Sequence, residues 1–107
     1  MSARNEKVAN LIKELAAEFL VREDNKTSLL TVTHATASPD LKRATVFLTV
    51  LPTDKEAAAL DFVKRKRSEF RESLKKVLEI KNIPFIDFEI DRGEKNRQKI
   101  DELLRTK

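Results

Sequence analysis

The sequence contains no cysteine, tryptophan or tyrosine, and it has only one glycine, Gly93, and one histidine, His34. Without cysteine there is no disulfide framework and no thiolate metal site, so we expect a reducing compartment. One glycine cannot build a P-loop, a dinucleotide-binding loop or a GxxG nucleic-acid clamp. A single histidine with neither cysteine nor tyrosine leaves little material for nucleophilic catalysis. We therefore expect no catalytic residues, no enzyme activity and no cofactor.

Long hydrophobic runs are also lacking. No stretch approaches the roughly 20 apolar residues that span a bilayer, and residues 1–10 have no apolar signal core. We therefore expect a cytoplasmic protein with no membrane partner. The 107 residues fit one domain, and a chain of this length buries about two thirds of the surface that its unfolded form exposes.

Positive charge is concentrated in one part of the chain. Charged residues make up 37% of the sequence, and the net charge is +4. Residues 64–81, the basic segment, contain eight basic and three acidic residues, a net charge of +5. Such a surface binds phosphates by releasing counterions, but a solvated helix face has the same composition. The residues alone leave both interpretations open.

Hydrophobic periodicity predicts several helices. Apolar residues recur at helical spacing over residues 4–22, and a short terminal helix is indicated by Ile100, Leu103 and Leu104. A longer helix is predicted over residues 53–78.

This longer helix opens with a capping-box pattern at Thr53 and Glu56, and its apolar stripe ends at Val77. The stripe lapses over residues 64–68. We expect a kink or break near Ser68, because serine competes for backbone hydrogen bonds and the lapse removes packing.

Three segments alternate apolar and polar residues as strands do. Residues 29–37, "LLTVTHATA", change phase at His34, which suggests a β-bulge. Residues 44–50 and 85–91 alternate regularly. Their predicted core positions are Ala44, Val46, Leu48, Val50, Ile86, Phe88 and Ile90. Together with the helices, these strands indicate an α+β fold, a three-stranded sheet covered on one face by helices.

A tight turn is predicted at Ser38–Leu41, between the first two strands. Pro39 suits the second turn position, and the side chains of Ser38 and Asp40 can bond to nearby backbone N–H groups. We expect Leu41 to pack this turn against the core.

Three carboxylates and one aromatic residue are alternative candidates for a site. Asp87, Glu89 and Asp91 share one strand face and could hold Mg²⁺ in a metal-dependent enzyme, but the pattern also suits a solvated strand, and we expect no metal site. His34, at the predicted bulge, is expected to be structural or at the surface. Phe47 is predicted on the same sheet face as Asp87 and Glu89, and these carboxylates would repel a phosphate chain. Any RNA should therefore bind the helices and not the sheet.

Three blocks of the sequence resemble the bacterial ribosome-binding factor A family. One block falls on Ser38, Asp40, Leu41, Ala44 and Val46. A second falls on Arg71, Leu74, Leu78, Lys81, Ile83, Pro84, Phe88 and Asp91. The start of the chain fits with Arg4, Lys7 and Val8. The blocks stand in the family's order and cover nearly the whole chain.

The resemblance implies one KH-like domain of the second type, residues 1–107, without the GxxG loop. The family instead has a kink between two helices, usually at Ala, any residue, Gly. Lys66, Arg67 and Ser68 stand there in this chain, so it departs from the pattern at both outer positions.

The resemblance also implies a function. The chain would be a non-catalytic, monomeric assembly factor, most important in the cold, with no small-molecule substrate. It would bind the small (30S) ribosomal subunit and its 16S ribosomal RNA late in maturation and assist processing of the RNA 5′ end.

We predict that phosphates are contacted by the exposed cations of the basic segment and of the turn. The predicted RNA-binding residues are Lys64, Lys66, Arg67, Arg71, Lys75, Lys76, Lys42 and Arg43. The alternative is a protein-interaction module with no direct RNA binding, which would dock a partner through the first helix or the sheet edge.

Overall fold

Three helices pack on one face of a three-stranded sheet in this computed structural model, which describes residues 3–22, 28–78 and 80–93. The elements are α1 (Ala3–Arg22), β1 (Leu29–Ala37), β2 (Arg43–Leu51), α2 (Glu56–Arg65), α3 (Arg67–Lys75) and β3 (Phe85–Ile90). The predicted α+β fold is confirmed. The predicted terminal helix at Ile100, Leu103 and Leu104 lies outside the described residues. No helix within the described ranges is both long and apolar enough to cross a membrane.

The strands lie in the order β1-β2-β3, with β1 and β2 antiparallel and β2 and β3 parallel. The predicted bulge is confirmed, since the pairing register shifts between Val32 and His34. Thr33 is the extra residue. Because of this extra residue, Val32 before the bulge and Ala35 after it both face the helices, while His34 lies on the opposite face of the sheet.

The core lies between the sheet and the helices. All seven predicted strand positions are buried, from Ala44 to Ile90. At the centre, the ring of Phe70 on α3 lies 5.2 Å from that of Phe19 on α1 and 5.9 Å from that of Phe88 on β3, centre to centre. Burial of such a side chain contributes about 2–3 kcal/mol to the free energy of unfolding. Phe70 on α3 therefore packs against both α1 and β3 at the centre of the core.

Both ends of the long predicted helix differ from the prediction. Thr53 starts a short 3₁₀ helix, and the N-cap position of α2 is occupied by Lys55, so the prediction that Thr53 is the N-cap of this helix was wrong. At the other end α3 stops at Lys75, and Val77 is 50% exposed while Leu78 is buried. Beyond α3, Lys76 keeps right-handed helical backbone angles, and the N–H of Leu78 donates to the carbonyl of Leu74 at 2.8 Å. Leu78, four residues after the buried Leu74, therefore continues the buried stripe, and Val77 does not.

Candidate nucleic-acid interface

A single residue, Lys66, separates α2 from α3. Its backbone has φ −94° and ψ 3°, outside the helical region. Arg67 Nε donates a hydrogen bond to the carbonyl of Lys64 at 3.0 Å, which supports a helix end whose last carbonyls lack intrahelical partners. The predicted break is present, but it lies at Lys66 and not at Ser68, which is inside α3. Because φ is negative at Lys66, no glycine is needed for this turn.

Asp87 on β3 contacts two of the predicted RNA-binding residues. Its Oδ1 lies 3.2 Å from Arg67 Nη1 and 3.8 Å from Lys64 Nζ. The neighbours of Asp87, Ile86 and Phe88, are buried on the helix side, so the Asp87 carboxylate projects from the other face. Both cations therefore reach around the edge of the sheet. The three side chains are 38–41% exposed, and a pair this accessible contributes at most about 1 kcal/mol.

Two further cations pair with carboxylates close to them in sequence. Lys66 Nζ lies 3.6 Å from Glu69 Oε1, and Lys75 Nζ lies 3.0 Å from Glu72 Oε1. Lys66 Nζ also lies 5.8 Å from the ring centre of Phe62. Surface pairs three residues apart on a helix contribute only a few tenths of a kcal/mol. A phosphate can therefore replace these carboxylates at small cost.

Arg71 makes a structural contact in addition to its predicted role in RNA binding. Its Nη2 donates to the carbonyl of Ile83 at 3.0 Å, and its Nε is buried without a hydrogen-bond partner among the described residues. The side chain thus ties α3 to the segment that leads into β3. Only part of the guanidinium remains available to a phosphate.

Lys42, Arg43 and Lys76 are the predicted cations with the most accessible charge. All three are exposed, and none forms an ion pair within 4.0 Å inside residues 3–22, 28–78 and 80–93. Phosphates can approach these side chains without displacing an ion-paired carboxylate. The free energy of counterion release therefore contributes to binding without that cost.

The turn before Lys42 is held by backbone and side-chain hydrogen bonds. The N–H of Leu41 donates to the carbonyl of Ser38 at 2.9 Å, with Pro39 in the predicted second position. Asn5 Nδ2, on the buried side of α1, donates to the same carbonyl at 2.9 Å. Leu41 is only half-buried and has φ 58°, a left-handed conformation. Asn5 therefore anchors the turn to α1, a role that we had expected of Leu41.

The Asp40 carboxylate organises the same turn. It accepts hydrogen bonds from Ser38 Oγ at 2.6 Å and from the N–H of Lys42 at 3.1 Å. The Ser38 hydroxyl, followed by the Lys42 N–H, holds the pKa of Asp40 below its usual range. The ionised carboxylate fixes the backbone from which Lys42 and Arg43 project.

The fold brings the turn cations and the basic segment to one edge of the sheet. Arg43 is the register partner of Phe85, and the register partner of Thr45 is Asp87, which binds Arg67 and Lys64. An open cleft of about 470 Å³ lies at this edge. It is lined by Lys42, Arg43, Ala44, Thr45, Phe85 and Asp87. Spacing along the sequence could not show this neighbourhood.

The carboxylates considered for a metal site make separate contacts. Asp87 holds two cations, whereas Asp91 Oδ2 accepts a hydrogen bond from Thr33 Oγ1 at 2.5 Å and lies 3.2 Å from His34 Nδ1. Among the described residues, no three His, Cys, Asp or Glu side chains are grouped to hold a metal ion. The ring of His34 stacks on Phe47, with 4.3 Å between centroids and 10° between planes. His34 is thus built into the open face of the sheet.

One exposed aromatic residue at this edge, Phe85, is not among the predicted site residues. Phe85 begins β3 and is 65% exposed, whereas Ile86 and Phe88 are buried. Its phase in the strand was the available signal, because it lies one residue from Ile86 and three from Phe88, on the polar side of the alternation.

Comparison with known proteins identifies one family. The sequence profile of ribosome-binding factor A matches residues 4–104. Ribosome-binding factor A of Methylobacterium sp. (strain 4-46) is 33% identical over 110 residues, which cover 98% of this chain and 79% of that protein. Ribosome-binding factor A of Magnetococcus marinus is 32% identical over 108 residues, covering 97% and 88%.

A solved structure has the same fold. The crystal structure of ribosome-binding factor A from Thermus thermophilus superposes with a TM-score of 0.73 at 20% sequence identity. The aligned region covers 80% of this chain and 93% of that one.

Proposed function

Because the chain belongs to the ribosome-binding factor A family, we propose that it is a non-catalytic, cytoplasmic assembly factor of the small (30S) ribosomal subunit. In this role it binds the subunit and its 16S ribosomal RNA late in maturation and assists processing of the RNA 5′ end. The family match over residues 4–104 is the observation that carries the proposal.

The edge of the sheet at β3 supplies a physical means of binding RNA. Four cations, Lys42, Arg43, Lys64 and Arg67, lie around one carboxylate, Asp87. The surplus of positive charge favours a phosphate chain, and each phosphate neutralised releases counterions. The side chains contact phosphates and not base edges, so this binding is strong in low salt and has little dependence on base sequence.

The ion pairs at the helix break fit this role. A pair between side chains about 40% exposed is worth at most about 1 kcal/mol, less than a charge-assisted contact with phosphate. In the free protein these pairs hold the cations in place. On contact with RNA, Lys64 and Arg67 can share their hydrogen bonds between Asp87 and a phosphate.

The test is co-sedimentation of the protein with purified small subunits, mature and immature, at two salt concentrations. We expect tighter binding to immature subunits, weakened by salt. Lys42→Glu should reduce binding and flatten the salt dependence. Lys55→Glu, an equal charge change at an exposed residue beyond the opposite end of β2, is the matched control.

Failure to sediment with either subunit form would contradict the proposal. Binding that neither salt nor Lys42→Glu alters would favour the alternative, a protein-interaction module without direct RNA contact. The processing role has its own measurement. Cells that lack the protein should accumulate small-subunit RNA with extended 5′ ends, detected by primer extension.

A further inference from the structure

We propose that Phe85 is a stacking platform for an unpaired nucleobase of a single-stranded RNA segment, with Lys42 and Arg43 binding the flanking phosphates. This inference rests on the proposed function, because its ligand is an unpaired stretch of the same ribosomal RNA. It adds a base-contacting residue to a surface that otherwise offers only charge.

The first observation is the exposure of Phe85. Of the six phenylalanines, three are buried and two are half-buried, but Phe85 is 65% exposed. Its backbone is fixed, because its N–H donates to the carbonyl of Lys42 at 2.8 Å and the residue starts a paired strand. An exposed aromatic ring on a fixed backbone can stack on any base, since every base has a π-face.

The second observation is the charge beside the ring. Arg43 is the register partner of Phe85, Lys42 bonds to its backbone, and both basic side chains are exposed. All three residues line the same open cleft of about 470 Å³. An aromatic ring next to cations on a strand is the combination that single-stranded nucleic acid requires, since bases stack while the backbone follows the charge.

The neighbouring carboxylate does not oppose this ligand. Asp87 also lines the cleft, but its charge is offset by Arg67 at 3.2 Å and Lys64 at 3.8 Å. The other aromatic site on the open face is different. There His34 already stacks on Phe47, whose register partner is Glu89. A base at Phe47 would displace His34 and bring its phosphates towards Glu89.

The comparison with other exposed apolar residues favours RNA over a protein ligand. Leu29 and Leu51 are 61% and 48% exposed and pair with each other at the opposite end of β2. The register partner of each of these leucines is the other leucine and not a basic residue. Phe85 is the exposed apolar side chain that the strand register places beside a basic residue, Arg43. Charge complementarity therefore selects a polyanion for this edge.

The experiment measures binding of a short single-stranded RNA oligonucleotide that contains a fluorescent adenine analogue, with a duplex of the same sequence for comparison. We expect the single strand to bind more tightly, with quenching of the analogue by the ring. Phe85→Ala should weaken single-strand binding by roughly 5- to 150-fold and abolish quenching. Phe85→Tyr should retain both, and Phe85→Ala should leave the salt slope unchanged.

Arg43→Glu should flatten the salt slope, and Leu29→Ala is the control for loss of an exposed apolar side chain. Equal affinity of wild type and Phe85→Ala for the oligonucleotide would overturn the inference. So would a Phe85→Ala variant that loses subunit binding while the wild type shows no oligonucleotide binding, since this would indicate a protein contact. If the wild type binds small subunits and Phe85→Ala binds them equally, the inference fails and the proposed function stands.

Discussion

Arg67 Nη1 donates a hydrogen bond to Asp87 Oδ1 at 3.2 Å, and this contact fastens the break between α2 and α3 to the edge strand β3. The same guanidinium donates from Nε to the carbonyl of Lys64 at 3.0 Å. One side chain therefore supports the end of α2 and joins it to the sheet. The planar guanidinium can make both contacts because its donors point in fixed, different directions.

Arg67→Ala should lower the free energy of unfolding by about 1–2 kcal/mol, because a hydrogen bond to a backbone carbonyl and a solvent-screened ion pair are both lost. Arg67→Lys should not retain this stability, since a lysine ammonium does not have the planar, two-directional donors of a guanidinium. Arg65→Ala is the control. Arg65 pairs with Asp61 at 70% exposure, and its loss should change stability by less than about 0.5 kcal/mol. Urea unfolding of the three variants checks this, and equal effects of Arg67→Ala and Arg65→Ala would exclude the double contact.

Asp87→Asn should strengthen binding to small subunits by roughly two- to tenfold, because it releases Lys64 and Arg67 from their shared carboxylate. The amide oxygen can still accept the hydrogen bond from the N–H of Phe88, at 2.9 Å in the native protein, so the strand is preserved. Asp54→Asn removes one negative charge from an exposed residue that lines no part of this edge. If both variants bind alike in a salt titration, the cations beside Asp87 do not contact RNA.

Phe70→Ala should destabilise the protein by about 3–5 kcal/mol, because the ring is fully buried between Phe19 and Phe88. Phe70→Leu keeps more of the volume and should cost less than about 1.5 kcal/mol. Phe85→Ala, at a largely exposed ring, should stay within about 0.5 kcal/mol of wild type. Denaturant midpoints order the three variants. A Phe85→Ala midpoint as low as that of Phe70→Ala would mean that Phe85 supports the fold.

Ser38→Ala should raise the pKa of Asp40 towards its unfolded value, because the Ser38 hydroxyl is the largest cause of its depression. Folding lowers this pKa, so the folded state binds fewer protons than the unfolded state in acid. The stabilisation is complete above the unfolded carboxyl pKa of about 3.9 and is lost as the pH falls through the folded value. NMR titration of the Asp40 carboxyl in both proteins measures the change. An unaltered midpoint in Ser38→Ala would show that another group depresses the pKa.

Much of the fold was predictable because its signals are local. Alternation along β2 and β3 identified all seven buried strand positions, and the phase change at His34 located the bulge within one residue. The lapse of the apolar stripe predicted a helix break. The sequence placed that break near Ser68, whereas it lies at Lys66, and no local pattern reveals that Arg67 supports the end of α2.

The candidate site was predictable only in part. Clustering of basic residues in the sequence identified the basic segment, but it could not show which cations are engaged. Arg71 holds the Ile83 carbonyl, and Lys64 and Arg67 share Asp87, 20 or more residues away in the chain. These contacts distinguish the engaged cations from Lys42, Arg43 and Lys76.

The sequence by itself determined the three strands, the first helix, a break in the second helical segment, the turn at Ser38–Leu41 and the excess of positive charge. Hydrophobic period, turn chemistry and net charge are properties of neighbouring residues. The tertiary structure alone decided that the turn and the helix break meet at β3, where Arg43 lies beside Phe85. The physical reason is the parallel pairing of β2 with β3, which joins segments about 40 residues apart and converts separate charges into one surface.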